Sequence, residues 1–387
     1  MTLPIEKADS GQLYGRALAE MISDAMAERA FTCCAASILR PGAPPIRLFS
    51  GIMNPEEAAG GVEPAPIRRE VLFDLASLTK PLATTILALI ALDRGGLRLD
   101  DEAVKFLPEA RGLRNGASLR DLLRHSAGLP AIPALQAAFP DPSRTDRDKA
   151  IARLCAIEAV GRPGKVVEYS CTGFLLLGLI LERIGGRRLA SLFRDEVASP
   201  LGLDGREGRG LATFCPPEPL HATCVPTEIC PWRKTRVRGA VHDESSYCLG
   251  GDGGNAGLFA DLAAAERLFT VFSDGGGILP EALAHEARLL QTAGMGEPRG
   301  LGFQLSFIVG KIDSYGHTGF TGTSIGGFGL DSEPRDSVLG ILLANRVYYG
   351  REDTLEKIRS LRSSFYGSMA KAFDGLNRGS GHGNAIE

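Results

Sequence analysis

The chain has 387 residues, enough for two domains or one large domain with an insertion, and enough to bury a sizeable core. Its 44% hydrophobic and 23% charged content is that of a soluble globular protein. With 43 basic against 46 acidic residues, the net charge of −3 excludes the strongly positive field expected of a binder of nucleic acid or an anionic membrane.

Residues Met1 to Arg29 lack a continuous apolar leader. Leu13, Leu18, Met21, Ile22 and Met26 recur at helical spacing among charges, which predicts an amphipathic helix rather than a signal peptide. A stretch of about 18 consecutive apolar residues is absent, so no membrane span is expected. The eight cysteines contain no C-x-x-C pair. Together with the missing leader they predict free thiols and a cytoplasmic protein.

Phe31 to Leu39 and Ile46 to Ile52 read as a hairpin around Pro41-Gly42 and Pro44-Pro45. Asn54 to Arg69 is a Pro/Gly/Glu-rich loop. Val71 to Leu75 is a short extended run leading into Ser77-Leu78-Thr79-Lys80 and a buried helix that stops at Gly95-Gly96. From Leu97 to Arg238 the pattern turns helical, with candidates at Leu119 to His125, Thr145 to Val160, Phe174 to Ile184 and Leu189 to Val197. Beyond Leu258, Leu262 to Phe272 reads as helix. Gly302 to Val309, Ser314 to Gly319, Ser324 to Leu330 and Val338 to Asn345 read as strands, and Thr354 to Phe373 as a closing helix. Strands at both chain ends with helices between them predict an α+β protein. A sheet domain (1–96 and 239–374) would carry a helical domain (97–238), with a cleft between them as the natural place for a site. The polar, Gly-rich tail 375–387 is expected to be disordered.

Three pieces carry chemistry. Ser77 and Lys80 stand three apart on one helix and can touch. A hydroxyl becomes nucleophilic when a base takes its proton, and burial lowers a lysine's pKa towards that role. Pro81 has no N–H to give, which predicts a regular helix beginning near Leu78 and places Ser77 at its positive end. Tyr169, in Tyr169-Ser170-Cys171 at the start of the next apolar helix, can serve as a general base if it faces Ser77. The third piece is His317-Thr318-Gly319-Phe320-Thr321-Gly322-Thr323. A strand with glycine at its end lets another backbone come close, and a strand N–H beside the nucleophile's own N–H makes an oxyanion hole.

Other motifs are weaker. Gly322-Thr323-Ser324-Ile325-Gly326 fits G-x-S-x-G, but the residues after it are not helix-forming. Gly251 to Ala256 fits a dinucleotide pattern without a βαβ unit around it. His125, His221 and His242, with Cys215, Cys224 and Cys230, are too irregularly spaced for zinc. His125 reads instead as a hydrogen-bonded turn residue.

In this order the three pieces resemble the serine β-lactamase and penicillin-binding-protein family. The resemblance is to its class C-like branch of β-lactamases, esterases and D-amino-acid peptidases, marked by S-x-x-K, Y-x-N and K-T-G or H-T-G. It also takes in Leu119-Arg120-Asp121-Leu122-Leu123-Arg124-His125-Ser126-Ala127-Gly128-Leu129-Pro130, Cys230-Pro231-Trp232-Arg233 and Val241-His242-Asp243-Glu244. The resemblance implies a β-lactamase-like (DD-peptidase-like) fold, an antiparallel sheet flanked by helices with an all-helical inserted domain. It implies Ser77 as the acyl-forming nucleophile, with Lys80 and Tyr169 as shared general base. The N–H groups of Ser77 and Phe320 would form the oxyanion hole, and Cys171, His317, Thr318 and Gly319 would line the substrate side. No metal or organic cofactor is implied; the partner is a small-molecule ester, amide or lactam.

Two positions depart from the pattern. Cys171 stands where the family has asparagine, and a thiol cannot donate and accept as an amide does. His317 stands where β-lactamases have lysine, and histidine is largely neutral at pH 7. Both favour an esterase or small-amide hydrolase over a β-lactamase or D-Ala-type peptidase. The Cys171 change also leaves open a binding protein that has lost turnover.

Overall fold

The structure, a computed structural model, describes residues 10–56, 66–206, 209–329 and 337–373; the tail 375–387 and part of the 54–69 loop lie outside the described residues. Nine strands are described: β1 (Cys33–Arg40), β2 (Ala43–Gly51), β3 (Phe73–Asp74), β4 (Ala212–Phe214), β5 (Leu258–Ala260), β6 (Gln304–Leu305), β7 (Ser314–Thr318), β8 (Ser324–Phe328) and β9 (Val338–Ala344). The larger sheet has the order β2-β1-β9-β8-β7-β6, and each of its neighbouring pairs is antiparallel. It is therefore built from both chain ends, with β1 pairing directly to β9.

Both faces of this sheet are covered. In β1, Cys33 and Ala35 join one core while Cys34, Ala36 and Ile38 join the other. In β9, Leu339, Ile341 and Leu343 alternate in the same way with Val338, Leu342 and Ala344. Helix α1 (Ser10–Ala27) and the closing helix, here α5 (Leu355–Phe373), cover one face through Leu18, Ile22, Ile358, Phe365 and Met369. The other core takes in α2 (Ile86–Asp93), α3 (Cys171–Gly185) and α4 (Leu262–Asp274). The caps of α3 follow from its sequence. Ser170 Oγ accepts from the Gly173 N–H at one end, and Gly186 at φ +66° closes the other.

Several elements differ from expectation. The run Gly302 to Val309 is a strand only over Gln304–Leu305, and Ser306 leaves it at φ +50°. Short β5 pairs with both β3 and β4 in a second sheet of order β3-β5-β4. Strands of two or three residues are too short to show a period, and β4 falls in a stretch that reads as helical. The segment after Ser77 is not a regular helix. Ala76–Leu78 is a 3₁₀ turn, Lys80–Thr85 a π-helical turn, and α-helical geometry begins at Ile86. Pro81 offers no N–H to the first turns, and the wide π turn accommodates it. By length and composition Ala76–Asp93 could cross a membrane, but the rest of the protein buries 78% of it. A core helix explains that composition.

Three glycines lie side by side across the sheet, with Gly326 paired to both Gly316 and Gly340. They form a trough for Tyr366 and Phe307: a Cβ on Gly326 would lie 2.7 Å from the Tyr366 ring and 2.9 Å from Phe307. Tyr366 in turn donates to Ser324 Oγ at 3.0 Å. Ser324 is thus a buried strand residue rather than the tip of a nucleophile elbow. Gly326→Ala should lower stability by about 1–3 kcal/mol through overpacking, read as a lower urea midpoint at unchanged slope.

Candidate active site

The Ser77 turn is set by what precedes it. β3 pairs with β5, and the Leu75 N–H donates to Leu258 O at 2.9 Å. Ala76 then takes φ +47°, uncommon for a residue with a side chain, and the chain turns into the Ser77 3₁₀ segment. Ser77 is half-buried and Lys80 completely buried.

Lys80 Nζ has three acceptors: Ser77 Oγ at 3.0 Å, Asn255 O at 3.1 Å and Cys171 Sγ at 3.5 Å. An ammonium has three N–H donors, so the surroundings match its charged form. The expected depression of the Lys80 pKa is not found. Burial does pull it down, but the Cys171 thiol and the Tyr169 phenol, where ionised, outweigh burial and hold it above the ordinary lysine value. Burial likewise pushes Tyr169 above the ordinary phenol value, against the opposing charge of Lys80 and hydrogen bonds to Lys80 and Ser77. At neutral pH the phenol keeps its proton, so it is the three acceptors around Nζ, rather than an ionised neighbour, that match the ammonium.

Tyr169 meets Ser77 and Lys80 because its turn is tied down on both sides. The Glu168 N–H donates to His125 O at 2.8 Å, the Ser170 N–H to His125 Nδ1 at 3.1 Å, and the Cys171 N–H to Ala131 O at 2.8 Å. His125, at φ +61°, is indeed a hydrogen-bonded turn residue, and its ring centroid lies 4.5 Å from that of Tyr169. This gives the Leu119 to Pro130 stretch a physical purpose: it seats the tyrosine turn. Around the same ring lie Lys80 Nζ at 4.9 Å, Arg299 at 5.7 Å and the His317 ring at 5.8 Å.

His317 is buried in β7, with Nδ1 bonded to Thr318 O at 2.8 Å. Burial first, then the charges of Lys80 and Arg299, hold its pKa well below the usual imidazole range. It presents a neutral ring. Thr318 is exposed, and Gly319 is the point of closest approach: a Cβ there would lie 2.6 Å from Leu75 O and 2.0 Å from Thr323 Oγ1. Thr323 Oγ1 donates to Leu75 O at 2.9 Å and Thr321 Oγ1 to Asp74 O at 2.8 Å. These bonds lay the turn after β7, which carries Phe320, against the turn that carries Ser77. Arg346 fixes that turn from behind, Nε donating to Phe320 O at 2.8 Å.

The structure thus brings together Ser77, Lys80, Tyr169 and Cys171, with His317 and Gly319 beside them. Sequence reasoning missed the Asn255 carbonyl, because any residue type carries one. Among the described residues, Glu228, Cys230 and Glu244 have ligand atoms within 4.8 Å of one another, but Arg351 pairs with both carboxylates and supplies the cation. A cavity of about 1370 Å³ lies elsewhere, lined by residues such as Arg47, Phe193, Phe214 and Glu266, and includes none of Ser77, Lys80, Tyr169, Cys171, His317 and Gly319.

A family model described as "Beta-lactamase" matches residues 18–361. A putative D-alanyl-D-alanine carboxypeptidase of Escherichia coli (strain K12) is 28% identical over 295 residues, covering 67% of each chain. Among solved structures, EstCE1, described as a hydrolase with promiscuous acyltransferase activity, superposes with a TM-score of 0.67 at 22% identity, over 91% of this chain and 100% of that one. An octameric penicillin-binding protein homologue from Pyrococcus abyssi gives 0.67 at 20% identity, over 93% and 77%. At these identities the two structures establish the shared α+β architecture.

The charge state of the site has a kinetic consequence. The base forms, a neutral amine or a phenolate, populate only as pH rises, and both groups are held above their ordinary values. The rate of Ser77 labelling by a fluorophosphonate should therefore climb from pH 7 to pH 9 without a plateau, by about tenfold per pH unit at most. A rate that levels off below pH 8 would contradict this assignment.

Proposed function

The chain belongs to the β-lactamase family and is a hydrolase of that family, and from this premise we propose that it works through a covalent acyl-enzyme on Ser77, with esters or small amides as substrates. The observation that carries this reading is the 3.0 Å contact between Lys80 Nζ and Ser77 Oγ, made beside the Tyr169 phenol. The site would lie between the sheet domain (1–96 and 239–374) and the helical domain (97–238).

In the proposed reaction Ser77 Oγ attacks the substrate carbonyl carbon. Its proton passes to the Tyr169–Lys80 pair after that pair has lost one proton to solvent, and the carbonyl oxygen becomes an oxyanion facing the N–H groups of Ser77 and Phe320. Collapse breaks the bond to the leaving group, which takes the proton from the pair. Water then attacks the acyl carbon, gives its proton to the same pair, and Ser77 Oγ leaves with that proton.

Two side chains support the choice of substrate. His317 is neutral and buried, so it offers no fixed positive charge to a substrate carboxylate. Cys171 gives the Lys80 amine a soft acceptor and has no amide group for a substrate amide arm. A D-Ala-type peptidase is the second reading, favoured by the Escherichia coli relative's printed name. A β-lactamase proper, or a non-catalytic binding protein on the same fold, has less support.

Fluorophosphonate treatment followed by mass spectrometry should place the adduct on Ser77. Lys80→Ala should slow labelling by about 10²-fold or more. No adduct at all would favour the binding-protein reading. Short-chain p-nitrophenyl esters should turn over faster than nitrocefin, and Cys171→Asn should narrow that gap by about tenfold, a single hydrogen bond's worth of discrimination. Faster turnover of nitrocefin by the unmodified protein would instead make it a β-lactamase.

A further inference from the structure

We propose that Asp74 is a positioning residue: its one buried carboxylate ties the turn carrying Ser77 to the turn carrying Phe320, and so sets the spacing of the two N–H groups that would receive the oxyanion. The inference rests on the hydrolase reading above.

Asp74 is the last residue of β3 and is 4% exposed. Its two carboxylate oxygens go to two main-chain donors. Oδ1 accepts from the Ala76 N–H at 2.8 Å, and Oδ2 from the His242 N–H at 2.6 Å. The first bond closes the turn directly before Ser77 and holds Ala76 at φ +47°. A backbone in that region reverts to an ordinary conformation unless its surroundings over-determine it. The second bond reaches the other turn through a side chain. The His242 ring stacks on the Phe320 ring, with centroids 5.5 Å apart and planes 27° apart. The main chain of Asp74 adds a third link, its carbonyl accepting from Thr321 Oγ1 at 2.8 Å, next in sequence to Phe320.

The network continues behind His242. Its Nε2 lies 3.1 Å from Glu228 Oε1, and Glu228 is held by Arg351. Two carbonyls of the segment, Val241 O and His242 O, accept from Arg233 at 2.7 and 2.6 Å. His242 is thus fixed from its backbone and from its ring. Displacing the Asp74 carboxylate would release both turns at once, although Asp74 touches neither Ser77 Oγ nor the substrate position.

Asp74→Asn tests this. The amide keeps the volume but offers only one oxygen, so its NH₂ must face one of the two N–H donors. The fluorophosphonate labelling rate of Ser77 and kcat for a p-nitrophenyl ester should fall about 10²-fold, the loss typical of one misplaced oxyanion donor, with KM changed less than about threefold. Adding Ala76→Gly to Asp74→Asn should recover about fivefold or more of that rate, because glycine adopts positive φ without steric cost. A merely structural role would not respond so, since glycine adds backbone freedom and no contact. His242→Ala, which keeps the N–H bond to Asp74 and removes the stacked ring, should lower kcat about tenfold with KM little changed. An Asp74→Asn protein that folds and labels within about threefold of the unmodified rate overturns the inference, as does failure of Ala76→Gly to rescue it. If Asp74→Asn does not fold, His242→Ala decides, and unmodified kinetics there overturn it. Failure of the unmodified protein to label Ser77 is a different result: it removes the hydrolase reading itself.

Discussion

A buried ammonium organises this molecule. Lys80 is fully enclosed, and an enclosed charge without partners costs several kcal/mol. Its three N–H groups are met by a serine three residues before it, a thiol at the start of α3 and a main-chain carbonyl before β5. These come from three separate stretches of chain, so satisfying one cation requires α3 and the small β3-β5-β4 sheet to be assembled around it. The same requirement places Ser77 Oγ, Cys171 Sγ and the Tyr169 phenol within one small volume.

The second constraint is close approach of main chain to main chain. Gly319 lies where a Cβ would strike the Leu75 carbonyl, and Thr321 and Thr323 send their hydroxyls back to the carbonyls of Asp74 and Leu75. Arg362 donates to the carbonyls of Gly319 and Thr323 from behind, and burial lowers its pKa to about 10. The turn after β7 is therefore gripped from both sides. The proposed oxyanion hole would need this kind of rigidity, because its donors must be in place before charge develops.

Electrostatically the site is unusual for what it leaves out on the substrate side. Both histidines that flank Tyr169 are held neutral, His125 and His317 alike, by burial and by the charges of Arg299 and Lys80. Positive charge sits on Lys80, next to Ser77, and on Arg299, near the Tyr169 ring, and not on His317. This distribution helps a reaction in which negative charge develops on an oxygen near Ser77. It offers less to a substrate that arrives carrying its own carboxylate.

Much of this was legible in the sequence, for identifiable reasons. Ser77-Leu78-Thr79-Lys80 declares its contact because both residues share one helical face. Gly319 declares itself because glycine is used where a side chain cannot go, and Gly186 because it closes a helix at positive φ. β1 and β9 show because they are short, largely apolar runs, as strands covered on both faces are. The short β4 and β5 do not show, because two or three residues carry no period. The π turn after Lys80 was hidden because Pro81 signals the loss of an N–H but not how the backbone accommodates it. The sequence by itself determined which chemical groups exist and in what order, and hence the fold family. Only the tertiary structure decided the direction of the Lys80 pKa shift, the Asn255 carbonyl as its partner and the two donors on Asp74. Those depend on distances between main-chain atoms far apart along the chain, and main-chain atoms are the same in every residue.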